Sequence, residues 1–459
     1  MTKQKTVLLM HPRPIYPPMA ALYLAGALER AGVRCEILPS NCSKDELANV
    51  VESIKPDVVA MSVITSQDIP FFVGHAKFVK NSYSSIPVVW GGIHPSLNAE
   101  QCASEDFIDY VITGHGEAAL PEFMQNLGAL RCSGKIIRGS SVKDMDGYSP
   151  MWEKIDISKF VFPEEYSVHS PDKIAYDANG HKKKNNIFYY LITSRGCVYN
   201  CTFCSEPLGV INRTSDGRRN WSAHSFEWVK REVTYIKNEL GKKNIKLDGI
   251  GIWDDMFWVD MERSYRILDL LKSENLGYFI EARADQLLRD DAALLRKLGD
   301  TGCIQVFVGA ESADQTTLNY LRKGTKFTDY VKLIELGEKC HVAVRLSLII
   351  GFPGETDDSV NKTLDFSDWV SAKKGYASIS GPKIFTPYPG TVEFDRAVAR
   401  GLVIPKDTVG WGEIHRKSER YIALYPWLTQ NLLPDTIKRL EKLLARCGDS
   451  VKTNEPVFK

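Results

Sequence analysis

The 459-residue sequence has no apolar run near the roughly 18 residues that a membrane-spanning helix needs. It has no excess of either charge, since 58 basic and 57 acidic residues leave a formal net charge of +1. A chain so balanced has no global field to draw it to nucleic acid or anionic lipid, so neither nucleic acid nor a membrane is expected as a partner. It also lacks a leader-like start, because Met1-Thr2-Lys3-Gln4-Lys5 runs directly into a short apolar strand. A cytoplasmic location is expected, where cysteines are thiols or metal ligands rather than disulfides. No repeat and no low-complexity tract appears. What is present is ordinary globular composition, 44% hydrophobic and 25% charged, over a length that calls for two or three domains.

Short apolar runs alternate with helical periodicity from the start. Strands are expected at Thr6–Met10, Arg34–Leu38, Val58–Ser62, Val88–Trp90 and Tyr110–Thr113, with helices at Met19–Ala31 and around Glu46–Ile54, Phe71–Asn81 and Leu120–Leu130. Strands spaced by helices imply a parallel doubly wound sheet, whose ligands sit beyond the C-terminal strand ends. The segments there are Thr65-Ser66-Gln67, Gly91-Gly92-Ile93-His94-Pro95 and Gly114-His115-Gly116-Glu117. Residues 141–184 lose periodicity, carry Lys182-Lys183-Lys184 and read as a linker draped over a surface, long enough to touch a ligand or substrate. A second alternating series follows at Phe188–Thr193, Leu247–Trp253, Tyr278–Arg283, Ile304–Val308, Val344–Ile350 and Ala377–Ile384, with helices such as Phe226–Leu240 and Ser359–Val370. Six βα units fit a partial barrel over 185–395, short of eight. The expected organisation is α/β: a Rossmann-like domain over 1–140, the linker, the partial (β/α)6 barrel, and a small helical C-terminal region over 396–459, with a helix at Asp435–Cys447.

Seven of the ten cysteines stand singly (Cys35, Cys42, Cys102, Cys132, Cys303, Cys340, Cys447) and read as small core hydrophobes. The other three form Cys197-Val198-Tyr199-Asn200-Cys201-Thr202-Phe203-Cys204 after a strand. Structural zinc wants four ligands, usually in two pairs, and no second pair follows. A four-cysteine electron-transfer cluster lacks its fourth ligand. Three thiolates on a four-iron cluster leave one iron open to bind another molecule.

This spacing, at the opening of a βα barrel, resembles the radical S-adenosylmethionine (SAM) superfamily. The resemblance implies a [4Fe-4S] cluster on Cys197, Cys201 and Cys204 whose free iron chelates SAM, giving on reduction a 5′-deoxyadenosyl radical. Further segments resemble the family's SAM contacts over roughly 185–395. Phe203 and Gly351-Phe352-Pro353-Gly354 correspond to adenine neighbours, Trp253-Asp254-Asp255 to the segment facing the SAM amino group, and Glu281-Ala282-Arg283 to another recurrent segment. Gly309-Ala310-Glu311-Ser312 corresponds to the ribose carboxylate segment. Taken singly, Asp254-Asp255 also reads as a helix cap, Gly351–Gly354 as a turn and Glu311 as an ordinary surface acid. Implied SAM-site residues are thus Phe203, Asp254, Asp255, Arg283, Glu311, Gly351 and Pro353.

The first domain resembles the cobalamin-binding domain of one branch of that superfamily, through Pro17-Pro18-Met19-Ala20-Ala21-Leu22-Tyr23-Leu24-Ala25, Gly91–Pro95 and Gly114–Leu120. A nucleotide-binding or purely structural sheet is the alternative. The implied cobalamin contacts are Thr65, Ser66, Gln67, Gly91, Gly92, His94, Gly114, Gly116 and Glu117. The Asp-x-His-x-x-Gly cobalt-ligand motif is absent, so a weak or missing lower ligand is expected, with Ser66 or Gln67 beneath the corrin. The activity implied is C-methylation of an unactivated carbon of a small metabolite or a protein or peptide side chain, using cluster, SAM, cobalamin and a reductant such as flavodoxin or ferredoxin. The alternatives are a radical rearrangement or cyclisation without methyl transfer, and an electron-transfer protein. No catalytic acid or base is identifiable. Trp411 to Trp427 is expected to line the substrate entrance or to pack on the barrel.

Overall fold

Val- and Ile-rich runs with no polar alternation suit strands covered on both faces, and this chain builds two sheets from such runs. The computed structural model describes residues 4–13, 17–127, 135–139, 144–160, 187–205, 221–373, 375–414 and 425–442. The first sheet holds β1 (Thr6–His11), β2 (Arg34–Pro39), β3 (Val58–Ser62), β4 (Val88–Gly91), β5 (Tyr110–Thr113) and β6 (Ile136–Arg138). All pairings are parallel, in the order β2-β1-β3-β4-β5-β6. Every residue of β1 and β3 is buried. The chain reverses its strand order between β1 and β3, which marks that crevice as the ligand side.

After β7 (Phe188–Leu191) and a small antiparallel pair, β8 (Ser194–Arg195) with β9 (Ser222–Ala223), five more parallel strands follow. These are β10 (Gly249–Ile252), β11 (Gly277–Ala282), β12 (Cys303–Glu311), β13 (Ala343–Ile350) and β14 (Ala377–Ile384). Their order is β14-β13-β12-β11-β10-β7, so the six-stranded barrel is left open between β7 and β14. Register aligns Glu281 with Phe307, Phe307 with Arg345, and Arg345 with Ser378 in one row. Gly251 has no room for a side chain, since a Cβ there would lie 2.3 Å from the Tyr190 ring. Aromatic rings of β7 therefore cross the barrel over a glycine strand.

The two units share apolar seams. On the helix Met19–Arg30, Ala21, Ala25 and Leu28 pack on its own sheet, while Met19, Leu22 and Tyr23 enter the barrel's core. A second cluster joins Phe72 and Trp90 to Phe352, Phe385 and Trp411.

The expected elements form with some changes. The helix expected at Leu120–Leu130 runs over Gly116–Gln125. It starts early because Gly114 turns at φ +78° and Glu117 places its charge in the first turn, where the helix dipole favours it. Strand β6 is short enough, at three residues, to escape a periodicity reading. The segment read as a surface drape is anchored over its described part: Trp152 is buried, its indole N–H donating to Glu232 at 2.6 Å. None of residues 144–160 lines the cavity described below. Lys182-Lys183-Lys184, Cys132 and Cys447 lie outside the described residues, as does the end of the expected Asp435–Cys447 helix, which is described over 434–442. Trp411 packs on the first sheet's side, donating to Gln101 at 2.6 Å, and Trp427 on the barrel, donating to the Gly351 carbonyl at 2.8 Å. Neither lines the cavity.

Candidate active site between the two sheets

The cysteine loop begins where β7 ends, and two acids of the neighbouring strand fix its start. The Asp254 carboxylate accepts from the Thr193 N–H (2.5 Å), the Thr193 hydroxyl (2.6 Å) and the Ser194 hydroxyl (2.7 Å). It is 2% exposed and does not line the cavity described below. Asp255 accepts the Gly196 N–H at 2.9 Å and does face the open space. Burial pushes both carboxyls above the usual carboxylate range, against the hydrogen bonds they accept. The sequence grouped Asp254 and Asp255 together; the structure separates a loop anchor from a group at the site. The far end of the loop is held by Thr202, whose N–H donates to Leu321 and whose hydroxyl donates to Glu393 at 2.7 Å.

Around this loop lie the other residues singled out from the sequence. Phe203 packs against Phe352, with ring centroids 5.6 Å apart. The Arg283 guanidinium stacks over Tyr199 at 3.7 Å and donates to the Lys323 carbonyl at 2.5 Å. Glu311 sits at φ +63°, a strained conformation for a non-glycine residue, and its carboxylate takes a hydrogen bond from Lys323 at 2.8 Å. Burial works against the charge on Lys323, but Glu311 and Cys201 hold its ammonium above the usual lysine range. Gly351 and Phe352 donate their N–H groups to Glu355 at 2.6 and 3.0 Å, which shapes the turn before Pro353. Glu281 is exposed at the end of β11, and desolvation by the surrounding protein together with Asp255, Asp254 and Glu311 pushes it up to about 7.

Above the barrel's mouth is a cavity of about 520 Å³, mostly apolar, walled on one side by the first sheet's strand ends. Gly91, Gly92, Gly114, His115, Gly116 and Glu117 line it, and from the barrel Ile192, Arg195, Trp253 and Asp255 do. Gly92 is at φ +95°, and a Cβ there would fall 2.8 Å from the Val63 carbonyl oxygen, so only glycine fits this turn. Four sequence candidates are not brought to the cavity. His94 is fully buried, its Nδ1 3.1 Å from the Thr65 hydroxyl and its ring edge-on to Trp411. Ser66 accepts the Asp68 N–H, and Gln67 lies out on the loop; from this stretch it is Ser62 and Ile64 that face the cavity. Arg195 and Lys323 escaped the sequence reading as site residues, and Tyr23 entered it only as part of the Pro17–Ala25 segment. Arg195 had a signal in its place beside the cysteine motif; Lys323 had none, because only folding brings it to Glu311.

A model of the B12 binding domain matches residues 5–124, and a model of the radical SAM superfamily matches residues 191–367. The chain pairs a B12 binding domain with a domain of the radical SAM superfamily. It is 28% identical over 441 residues to an uncharacterized methyltransferase of Pyrococcus horikoshii, covering 94% of this chain and 86% of the relative. It is 22% identical over 401 residues to the anaerobic magnesium-protoporphyrin IX monomethyl ester cyclase of Rubrivivax gelatinosus, covering 82% and 65%. In fold it is similar to the radical SAM methyltransferase TsrM of Kitasatospora setae, at a TM-score of 0.61 and 17% identity over 90% of this chain and 81% of that one.

The residues present fit the groups this family carries. The three loop cysteines form no disulfide and are half-buried. Among the described residues no three side chains converge as ligands of one metal ion; a four-iron cluster asks otherwise, since each thiolate takes its own iron. The glycine-walled apolar cavity suits a broad organic cofactor. No helix among the described residues is long and apolar enough to cross a membrane.

Proposed function

We propose that the chain is a C-methyltransferase that moves a methyl group from SAM, through cobalamin, to an unactivated carbon of a small metabolite or of a protein or peptide side chain. The observation that carries this reading is one cavity shared by the strand ends of both sheets, with the cysteine loop at its edge. When bound, the cluster with SAM supplies a radical able to take hydrogen from carbon, and cobalamin supplies a methyl carrier. The chain's own part is placement and exclusion of water.

In this reading Cys197, Cys201 and Cys204 hold the cluster. Asp255 faces the SAM ammonium, Lys323 its carboxylate and Glu311 its ribose, with Phe203, Arg283, Gly351 and Pro353 shaping the remainder. Asp254 keeps the loop in place from behind. Gly91, Gly92, Gly114, Gly116 and Glu117 cradle cobalamin. The domain division remains 1–140, 141–184, 185–395 and 396–459. A flavodoxin or ferredoxin supplies electrons in the cytoplasm.

The test is anaerobic reconstitution with iron, sulfide and hydroxocobalamin, then mass spectrometry after SAM and reductant. Both 5′-deoxyadenosine and S-adenosylhomocysteine are expected, the first lost in Cys201→Ala. The cyclase relative favours a second reading, a radical cyclisation or rearrangement without methyl transfer. Deoxyadenosine without S-adenosylhomocysteine, and a product without an added methylene, would establish it instead.

A further inference from the structure

Arg195 ties the cysteine loop to the opposite unit. Its backbone is fixed in the β8–β9 pair opposite Ser222, directly before Gly196 and Cys197. Its guanidinium leaves the barrel, donates to the Glu117 carboxylate, comes within 3.3 Å of His115 Nδ1 and lies 4.7 Å over the Tyr23 ring. All three partners belong to the first sheet's unit. The Arg195 side chain is 18% exposed and that of Glu117 7%, so the pair is withdrawn from water. Burial pushes the Glu117 carboxyl up, but Arg195 and His115 hold it below the usual carboxylate range. On its other flank the loop is held by Asp255 through the Gly196 N–H. Tyr23 is braced from behind, its hydroxyl 2.8 Å from His224 Nε2, and His224 stacks on Trp228 at 3.5 Å with its Nδ1 3.3 Å from Asp146.

Tyr23, His115, Glu117, Arg195 and Asp255 all line the one cavity. Whatever fills that cavity presses on the side chains that hold the cysteine loop. Removing one partner of a buried ion pair leaves an uncompensated charge, so the two side chains are held to each other.

Resting on the function proposed above, we infer that Arg195 is a positioning residue through which cobalamin in the cavity and the redox state of the cluster act on each other. Glu117 is its partner in this coupling. Neither needs to touch a reacting atom. The coupling is reciprocal, so the factor by which cobalamin alters cluster reduction equals the factor by which cluster reduction alters cobalamin affinity.

The test uses the full chain, reconstituted anaerobically with iron and sulfide and poised at fixed potentials with and without hydroxocobalamin. The reduced cluster is read by low-temperature electron paramagnetic resonance, and bound cobalamin by its visible absorbance. In the wild type, hydroxocobalamin should change the ratio of reduced to oxidised cluster about fivefold or more, the lower end for coupled sites. With cobalamin bound to the same extent by its absorbance, Glu117→Gln, which keeps the shape of the side chain, should abolish the change, while Glu117→Asp should restore part of it. A purely structural Arg195 would give equal changes in wild type and Glu117→Gln, and that result overturns the inference. An unchanged ratio in the wild type overturns it even if the variants fail to fold. Where cobalamin binds and the cluster forms without coupling, the inference alone fails; where neither cofactor is taken up, the proposed function fails with it.

Discussion

Removing the Asp254 carboxylate separates a residue that anchors the cluster loop from one that binds SAM. In Asp254→Ala three hydrogen bonds lose their acceptor. The Ser194 hydroxyl retains the Met256 carbonyl at 3.2 Å. The Thr193 N–H and hydroxyl are left stranded, and Thr193 is fully buried. Each stranded buried donor costs about 1–3 kcal/mol, or about 2–6 kcal/mol for the two. Burial also disfavours the Asp254 carboxylate itself, so its removal returns part of this and the net loss falls near the lower end, about 3 kcal/mol. With a urea slope of roughly 3 kcal/mol per molar or more for a chain of this length, the unfolding midpoint should drop by up to about 1 M. Iron and sulfide per chain should fall with it, because Thr193 and Ser194 begin the loop that carries the ligands. Asp255→Ala removes one backbone acceptor and should keep the cluster while weakening SAM binding. The opposite pattern would refute the reasoning: Asp254→Ala with a full cluster and an unmoved midpoint but poor SAM affinity would mean that its carboxylate faces SAM.

Gly92→Ala puts a Cβ 2.8 Å from the Val63 carbonyl oxygen at φ +95° and should displace the cavity wall, lowering hydroxocobalamin affinity at least tenfold while leaving iron content intact; equilibrium dialysis of both measures this. Because Ser62 at the end of β3 and Ile64 just after it face the cavity, while His94 is buried against Trp411 and His115 Nδ1 is 3.3 Å from the Arg195 guanidinium, bound cob(II)alamin should show no strong axial nitrogen splitting in its electron paramagnetic resonance spectrum. Burial pushes Glu355 up to about 8, against the Phe352 and Gly351 N–H groups it accepts. Since the folded state then binds a proton that the unfolded chain releases near pH 4.3, stability should fall as pH rises from about 4.3 towards 8, by up to about 1.4 kcal/mol per pH unit. Glu355→Gln should flatten that dependence in urea titrations run across the range, and an unchanged slope would count against the protonated carboxyl.

What the sequence revealed and what it withheld follow from how far apart the cooperating groups lie in the chain. The strand positions, the helices and the cysteine loop arise from neighbours within a few residues, and they form close to where periodicity and turn residues place them. Asp254 and Asp255 show the first failure. Adjacent residues on a strand end point to opposite sides, so two acids that look interchangeable become a buried anchor and a cavity wall. His94 and Ile64 show the second. A histidine on a ligand-side loop is the obvious cofactor contact, yet Trp411, more than three hundred residues later, takes its ring into the core, and the apolar Ile64 is what remains in the cavity. Arg195 shows the third. Beside Cys197 it looks like part of the metal motif, but its partner Glu117 lies 78 residues earlier in the other unit. A local pattern picks out candidate contacts of each cofactor separately, whereas the pairing of Arg195 with Glu117 becomes visible only when the two sheets are brought face to face.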